Sequence, residues 1–229
     1  MPENQKIERP YATNYNVAFA KEAETLLPTL NMWAVESPFV VRFDPHPTAF
    51  FKVQPTRTLS MSELSVQSWG KGDDFIVDFG SHNVGFLQLS LDAEGLNIDA
   101  PTRLRVTFGE VPYDVIEELH PCKSWISTSW LPDEVINVDW LPHDLTLPRR
   151  YASRYVRFQI MDTSPKYRVV FKTIRVQAVS SAPSPASTDL EPLPCSNTLI
   201  QQIDTVSIST LRSCMQTVFE DGPRRDRRL

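Results

Sequence analysis

From about residue 36 to residue 180 the chain alternates apolar and polar side chains with a two-residue period. Phe39-Val40-Val41-Arg42-Phe43 opens the series. Phe75, Val77 and Phe79 alternate with Ile76 and Asp78, and Leu87, Leu89 and Leu91 with Gln88, Ser90 and Asp92. Leu104, Val106 and Phe108 alternate with Arg105 and Thr107, and Val156, Phe158 and Ile160 with Arg157 and Gln159. Ile174, Val176 and Ala178 close the series. From Phe75 onward, Ile76 apart, each run puts its apolar residues on one face, as a half-buried antiparallel strand requires. Turn-forming stretches separate the runs: Gly80-Ser81-His82-Asn83, Glu94-Gly95, Asp99-Ala100-Pro101 and Thr163-Ser164-Pro165. Short strands punctuated in this way predict a mainly β fold of two packed antiparallel sheets. A parallel doubly wound sheet is disfavoured, because no strand–helix rhythm is present.

The flanks follow other patterns. Residues 1–35 read as an irregular arm with a short helix over 15–27, where Val17, Ala20, Ala23, Leu26 and Leu27 recur at helical spacing before Pro28. Inside the β-rich region, 112–148 is less regular. It holds Trp125, Trp130 and Trp140 with Pro121, Pro132, Pro142 and Pro148 among its prolines, and it predicts a long loop with a helical turn or two near Tyr113–Leu119 and a strand near Val135–Trp140. Residues 181–194 are rich in Pro, Ser and Ala and read as a linker. After it the period changes. Ser196 or Asn197 can cap a helix over 196–219, whose Leu199, Ile200, Ile203, Val206, Ile208, Leu211, Cys214, Met215, Val218 and Phe219 cover more than one face. A helix apolar around most of its circumference expects to be surrounded by other helices. It either packs back on the sandwich or belongs to a domain outside these residues. The second reading is favoured, because the sequence runs straight on into a charged motif.

Composition narrows the function classes. Nineteen prolines against seven glycines disfavour a helical bundle. A net charge of −5 offers no positive field for nucleic acid or an anionic membrane. No apolar run is long enough to span a bilayer, and no apolar stretch behind Met1 suggests a secretory signal. Cys122, Cys195 and Cys214 are an odd set without metal-ligand spacing, which fits reduced thiols in the cytoplasm. The four histidines are scattered. His120-Pro121-Cys122 is too weak a pair to argue a metal, so neither metal nor cofactor is expected.

The remaining chemistry lies at residues 219–229, Phe-Glu-Asp-Gly-Pro-Arg-Arg-Asp-Arg-Arg-Leu. A basic run of this kind is usually a solvated tail. Here Glu220, Asp221 and Asp226 follow directly on a broadly apolar helix, and glycosidases hold such carboxylates on rigid scaffolding. Asp221 to Leu229 resembles the signature Asp-Cys-Pro-x-Arg-(Asp/Glu)-Glu-Arg-Leu of the bacterial α-L-rhamnosidases, glycoside hydrolase family 78. Three upstream stretches add to the resemblance in the family's order. Val77–Phe86 is similar to its DFGxNxxGW strand–turn–strand. Phe108-Gly109-Glu110-Val111 is similar to its RFGEV strand, and Arg150–Phe158 to its GFRYVEV strand.

The resemblance implies a jelly-roll-like accessory β-sandwich at 36–180, then at 195–229 the first helix and motif of an incomplete (α/α)6 catalytic barrel. It also implies an inverting glycosidase acting on a rhamnose-containing glycoside. Asp221 falls on the motif Asp that helps bind the sugar, Arg225 on the motif Arg, and Asp226 on the Asp/Glu position. Asp226 and Asp221 are therefore the candidate catalytic residues, and Asp221, Arg225 and Glu220 the candidate substrate-binding ones. Two positions depart from the pattern. Gly222 replaces the usual Cys, and Arg227 stands where many members carry the Glu proposed as general acid. Arginine does not donate a proton near neutral pH, so Asp226 takes that role, the acid lies elsewhere, or the substrate differs. The general base comes from later in the barrel, so these 229 residues are expected to be inactive alone. Two other readings stay open. One is a non-catalytic carbohydrate-binding sandwich, with the tryptophans as a stacking platform rather than pins for the loop, although pinning is the favoured role. The other is an interaction module whose exposed terminal helix docks a partner or self-associates.

Overall fold

The computed structural model describes residues 16–36, 39–123, 125, 127–182 and 193–220. Helix α1 (Val17–Thr25) is capped by the Asn16 side chain, which accepts from the Ala18 and Phe19 amides, and none of its residues is buried. The sheet begins at β1 (Asn31–Glu36) and continues through β2 (Phe39–Pro45) and β3 (Val53–Ser60). One turn of helix, α2 (Met61–Leu64), carries a capping box between Ser60 and Glu63, and β4 (Ser68–Trp69) follows. Then come β5 (Asp74–Gly95), β6 (Thr102–Gly109), the single turn α3 (Tyr113–Ile116), β7 (Asp133–Val138) and β8 (His143–Thr146). The chain closes with β9 (Tyr151–Asp162), β10 (Tyr167–Ser180) and α4 (Thr198–Cys214).

All strand pairs are antiparallel, and they form two layers. One layer runs β3-β2-β5-β9-β6-β7, using the first part of β5 (Asp74–Asp78). The other runs β8-β5-β10, with β1 and β4 on the far side of β10, and uses the second part of β5 (Gly85–Gly95). The expected two packed sheets are therefore one hydrogen-bonded sheet folded on itself, because β5 serves both layers. It changes layer where its register with β9 shifts between Asp78 and Asn83, at Gly80, whose φ of 78° suits glycine. Beyond the bend, β5 presses onto β10: a Cβ on Gly85 would lie 2.2 Å from the Gln177 carbonyl oxygen.

The alternating apolar residues meet between the layers. Phe75 of β5 and Phe158 of β9 face Phe171 of β10, with ring centroids 5.0–5.3 Å apart. Around them Val77, Leu87, Leu89, Leu91, Val106, Val169, Ile174 and Val176 are all nearly sealed from solvent. Ile76, the exception in the sequence pattern, lies on the opposite face, where it lines a hollow with Val41, Phe43, Val115 and Ile116. One turn of helix, α3, thus supplies the apolar cover that this outward residue needs.

The structure adds strands where the period was silent. β3 contains Pro55 and pairs only with β2, the edge position where proline is tolerated. β8 is four residues between Pro142 and Pro148, and it pairs with Gln88–Leu91. β1 carries the sheet back to Asn31, within the segment read as an arm. The terminal helix stops at Cys214 rather than running on to residue 219. There the chain reverses, with the Gln216 amide donating to the Val218 carbonyl and a bridge between Met215 and Phe219.

Candidate functional site

The stretches that carry family-like motifs come together at one end of the sandwich. They are the bend of β5 (Asp78–Asn83), the end of β6 with Glu110, the start of β9 with Arg150 and Arg154, and the turn after α4. At the bend, the Arg154 guanidinium donates to both Asp78 carboxylate oxygens at 2.9 and 3.0 Å, and Asp78 accepts from the Gly80 amide at 2.7 Å. The bond to Asp78 raises Arg154 further above its ordinary value. Burial, with the Asp78 charge beside it, pushes the neighbouring Tyr155 phenol up. His82 reaches in two directions, with Nε2 2.9 Å from Glu110 and Nδ1 3.3 Å from the Ser213 hydroxyl on α4.

A second set of bonds fastens the turn after α4. The Ser180 hydroxyl, at the end of β10, lies 2.7 Å from the Arg212 carbonyl and 2.9 Å from that of Met215. The Ser181 amide donates to Met215 at 2.8 Å. The Gln216 side chain is 1% exposed, and its amide donates to the Val179 and Ser213 carbonyls at 2.8 and 3.1 Å. Arg150 closes the set: one guanidinium nitrogen donates to the Gln216 side-chain oxygen, another to Glu220 at 3.1 Å. Glu220 is 4% exposed, and its own amide donates to the Cys214 carbonyl at 2.9 Å. A buried carboxylate held this way by a guanidinium is satisfied within the protein.

Of the site residues expected from sequence, Glu220 is placed by the structure at this junction, facing Arg150. Asp221, Arg225 and Asp226 lie outside the described residues. Sequence reasoning missed Arg150, Gln216 and Ser180. The one available signal was that Arg150 opens a motif-like stretch, which does not say what it touches.

Before this anchored turn, α4 stands away from the sandwich. Of its residues only Cys214 is buried, and Leu199, Ile203 and Val206 are all more than half exposed. Four of its hydroxyls, those of Thr205, Ser207, Thr210 and Ser213, each donate to the carbonyl four residues back. An open hollow of about 600 Å³ lies along Val206, Leu211, Cys214, Phe219 and Glu220. Among the described residues no cluster of metal-ligating side chains occurs, and no helix is long and apolar enough to cross a membrane. The tryptophans expected to pin the loop do so only in part. Trp125 is 95% exposed and Trp140 61%, the latter resting edge-on against His143.

Comparison with known proteins agrees with this architecture. The model of the glycosyl hydrolase family 78 α-rhamnosidase N-terminal domain matches residues 38–178. A rhamnosidase from Klebsiella oxytoca, solved with rhamnose bound, is 37% identical with a TM-score of 0.83, over 93% of this chain and 40% of its own. A family 78 rhamnosidase of Bacillus sp. GL1 is 16% identical with a TM-score of 0.50, over 75% of this chain and 17% of its own, a likeness of fold alone. No curated protein sequence matches the chain. The chain thus spans about two fifths of the length of the Klebsiella protein it resembles.

Proposed function

Because the chain belongs to glycoside hydrolase family 78 through its α-rhamnosidase N-terminal domain, we propose that it supplies the accessory sandwich and opening helix of an inverting α-L-rhamnosidase. The observation that carries this reading is α4. Thr205, Ser207, Thr210 and Ser213 bond back to carbonyls of the helix itself, Leu199, Ile203 and Val206 stand open to solvent, and among the described residues the last turn is the part fixed to the sandwich. A helix with such a surface is built to be enclosed by other helices.

Inversion needs two carboxyl groups about 6.5–9.5 Å apart, one to protonate the leaving oxygen and one to activate water on the opposite face. Asp226 is the candidate acid, with Asp221 and Arg225 binding the sugar. Arg227 keeps its proton and contributes charge only. The partner carboxylate is supplied by the helical domain, so the 229 residues alone do not turn over substrate. Release of the aryl group from an aryl α-L-rhamnoside tests this. Turnover is expected from a polypeptide extended through a complete helical domain and not from the 229-residue chain. Activity in the short chain would sink the proposal.

The exposed Trp125 and Trp140 favour one additional reading, in which the sandwich itself holds part of a glycan by stacking on sugar faces. Glycan binding by the 229-residue chain that weakens in Trp125→Ala supports it, and absence of binding to any glycan counts against it.

A further inference from the structure

We infer that Arg150 is a positioning residue for the terminal motif, and that Glu220 serves as its counter-charge rather than as a sugar ligand. Arg150 lies just ahead of β9, in the sandwich, yet its guanidinium bonds the side chains of both Gln216 and Glu220, across 66 and 70 residues of sequence. Both partners are nearly sealed. Glu220 directly precedes Asp221 in sequence, so the ion pair fixes the residue that leads into the acid-bearing motif. The contacts of Ser180 and Ser181 to the Met215 carbonyl hold the other side of the same turn. A guanidinium suits this task because its planar fork reaches two acceptors at a fixed angle, which an ammonium group cannot do. The accessory domain therefore contributes to catalysis by orientation, through one arginine that touches no substrate.

Cys214 provides a local reporter. It is buried at the root of the turn, and its carbonyl accepts from the Glu220 amide, whereas Cys122 and Cys195 are partly exposed and give internal references. In the 229-residue chain, Arg150→Ala is expected to speed thiol labelling of Cys214 about tenfold, the factor carried by one charge-assisted hydrogen bond. Labelling of Cys122 should stay unchanged. Glu220→Gln, which preserves size, should do the same and decides the matter if Arg150→Ala does not fold. The double variant should label no faster than the quicker single one, since both break one pair.

The kinetic arm rests on the function proposed above and uses the extended polypeptide. Arg150→Ala should lower kcat about 10–100-fold with KM nearly unchanged, as misplacement of a catalytic group does. Faster labelling together with the kcat loss supports the inference. Unchanged labelling in a folded variant overturns it. So does faster labelling with kcat intact, or a rise in KM alone, which would return Glu220 to sugar binding. If the extended wild-type polypeptide has no rhamnosidase activity, the functional proposal fails, while the labelling result still decides whether Arg150 holds the turn.

Discussion

Strand β10 and helix α4 are both rich in branched apolar residues, and the molecule treats them in opposite ways. Val169, Phe171, Ile174 and Val176 are nearly sealed, whereas Leu199, Ile203 and Val206 stand open to solvent. The difference lies in what can close each surface. A strand shows its apolar residues on one side, and the facing layer of the same sheet covers them. An apolar helix spreads them around a cylinder, and a single flat layer reaches only one strip of it. The sandwich completes its own core, whereas Leu199, Ile203 and Val206 of α4 stay uncovered among the described residues.

This contrast can be broken or sharpened by substitution, with thermal and denaturant unfolding of the 229-residue chain as the readout. The largest effect is expected at the meeting point of the layers. Phe171→Ala should cost about 3–5 kcal/mol, because it removes a fully buried ring that touches Phe75 and Phe158. Gly85→Ala comes next, at about 1–3 kcal/mol, since its methyl would collide with the backbone of Gln177 and push β5 from β10. Ile203→Gln marks the other pole, with a change in sandwich stability within about 0.5 kcal/mol. A loss at Ile203 comparable to that at Phe171 would show that α4 is packed in solution and end the contrast.

Legibility in the sequence followed the range of the interactions. The strong alternation of β5, β6, β9 and β10 depends on a local period, and the observed strands carry it. The N-cap at Asn197 is equally local, and its side chain accepts from the Leu199 and Ile200 amides. β1, β3 and β8 were not legible. Each is a short or edge segment made a strand by its partner, and β8 exists only because Gln88–Leu91 lies beside it. At the candidate site, Glu220 could be named from its place between an apolar helix and a motif. Its contact with Arg150 could not, because a lone carboxylate reads the same whether it meets solvent, a sugar or a guanidinium.

The sequence by itself determined the mainly β class, the order of the principal strands, the position of the terminal helix and the apolar residues along it. These follow from side-chain periodicity and capping, which act over a few residues. Only the tertiary structure decided that β5 belongs to both layers, that α4 is tied down at one end, and that Arg150 and Glu220 meet. Those facts depend on which distant groups exclude water together, and no local pattern of residues encodes that choice.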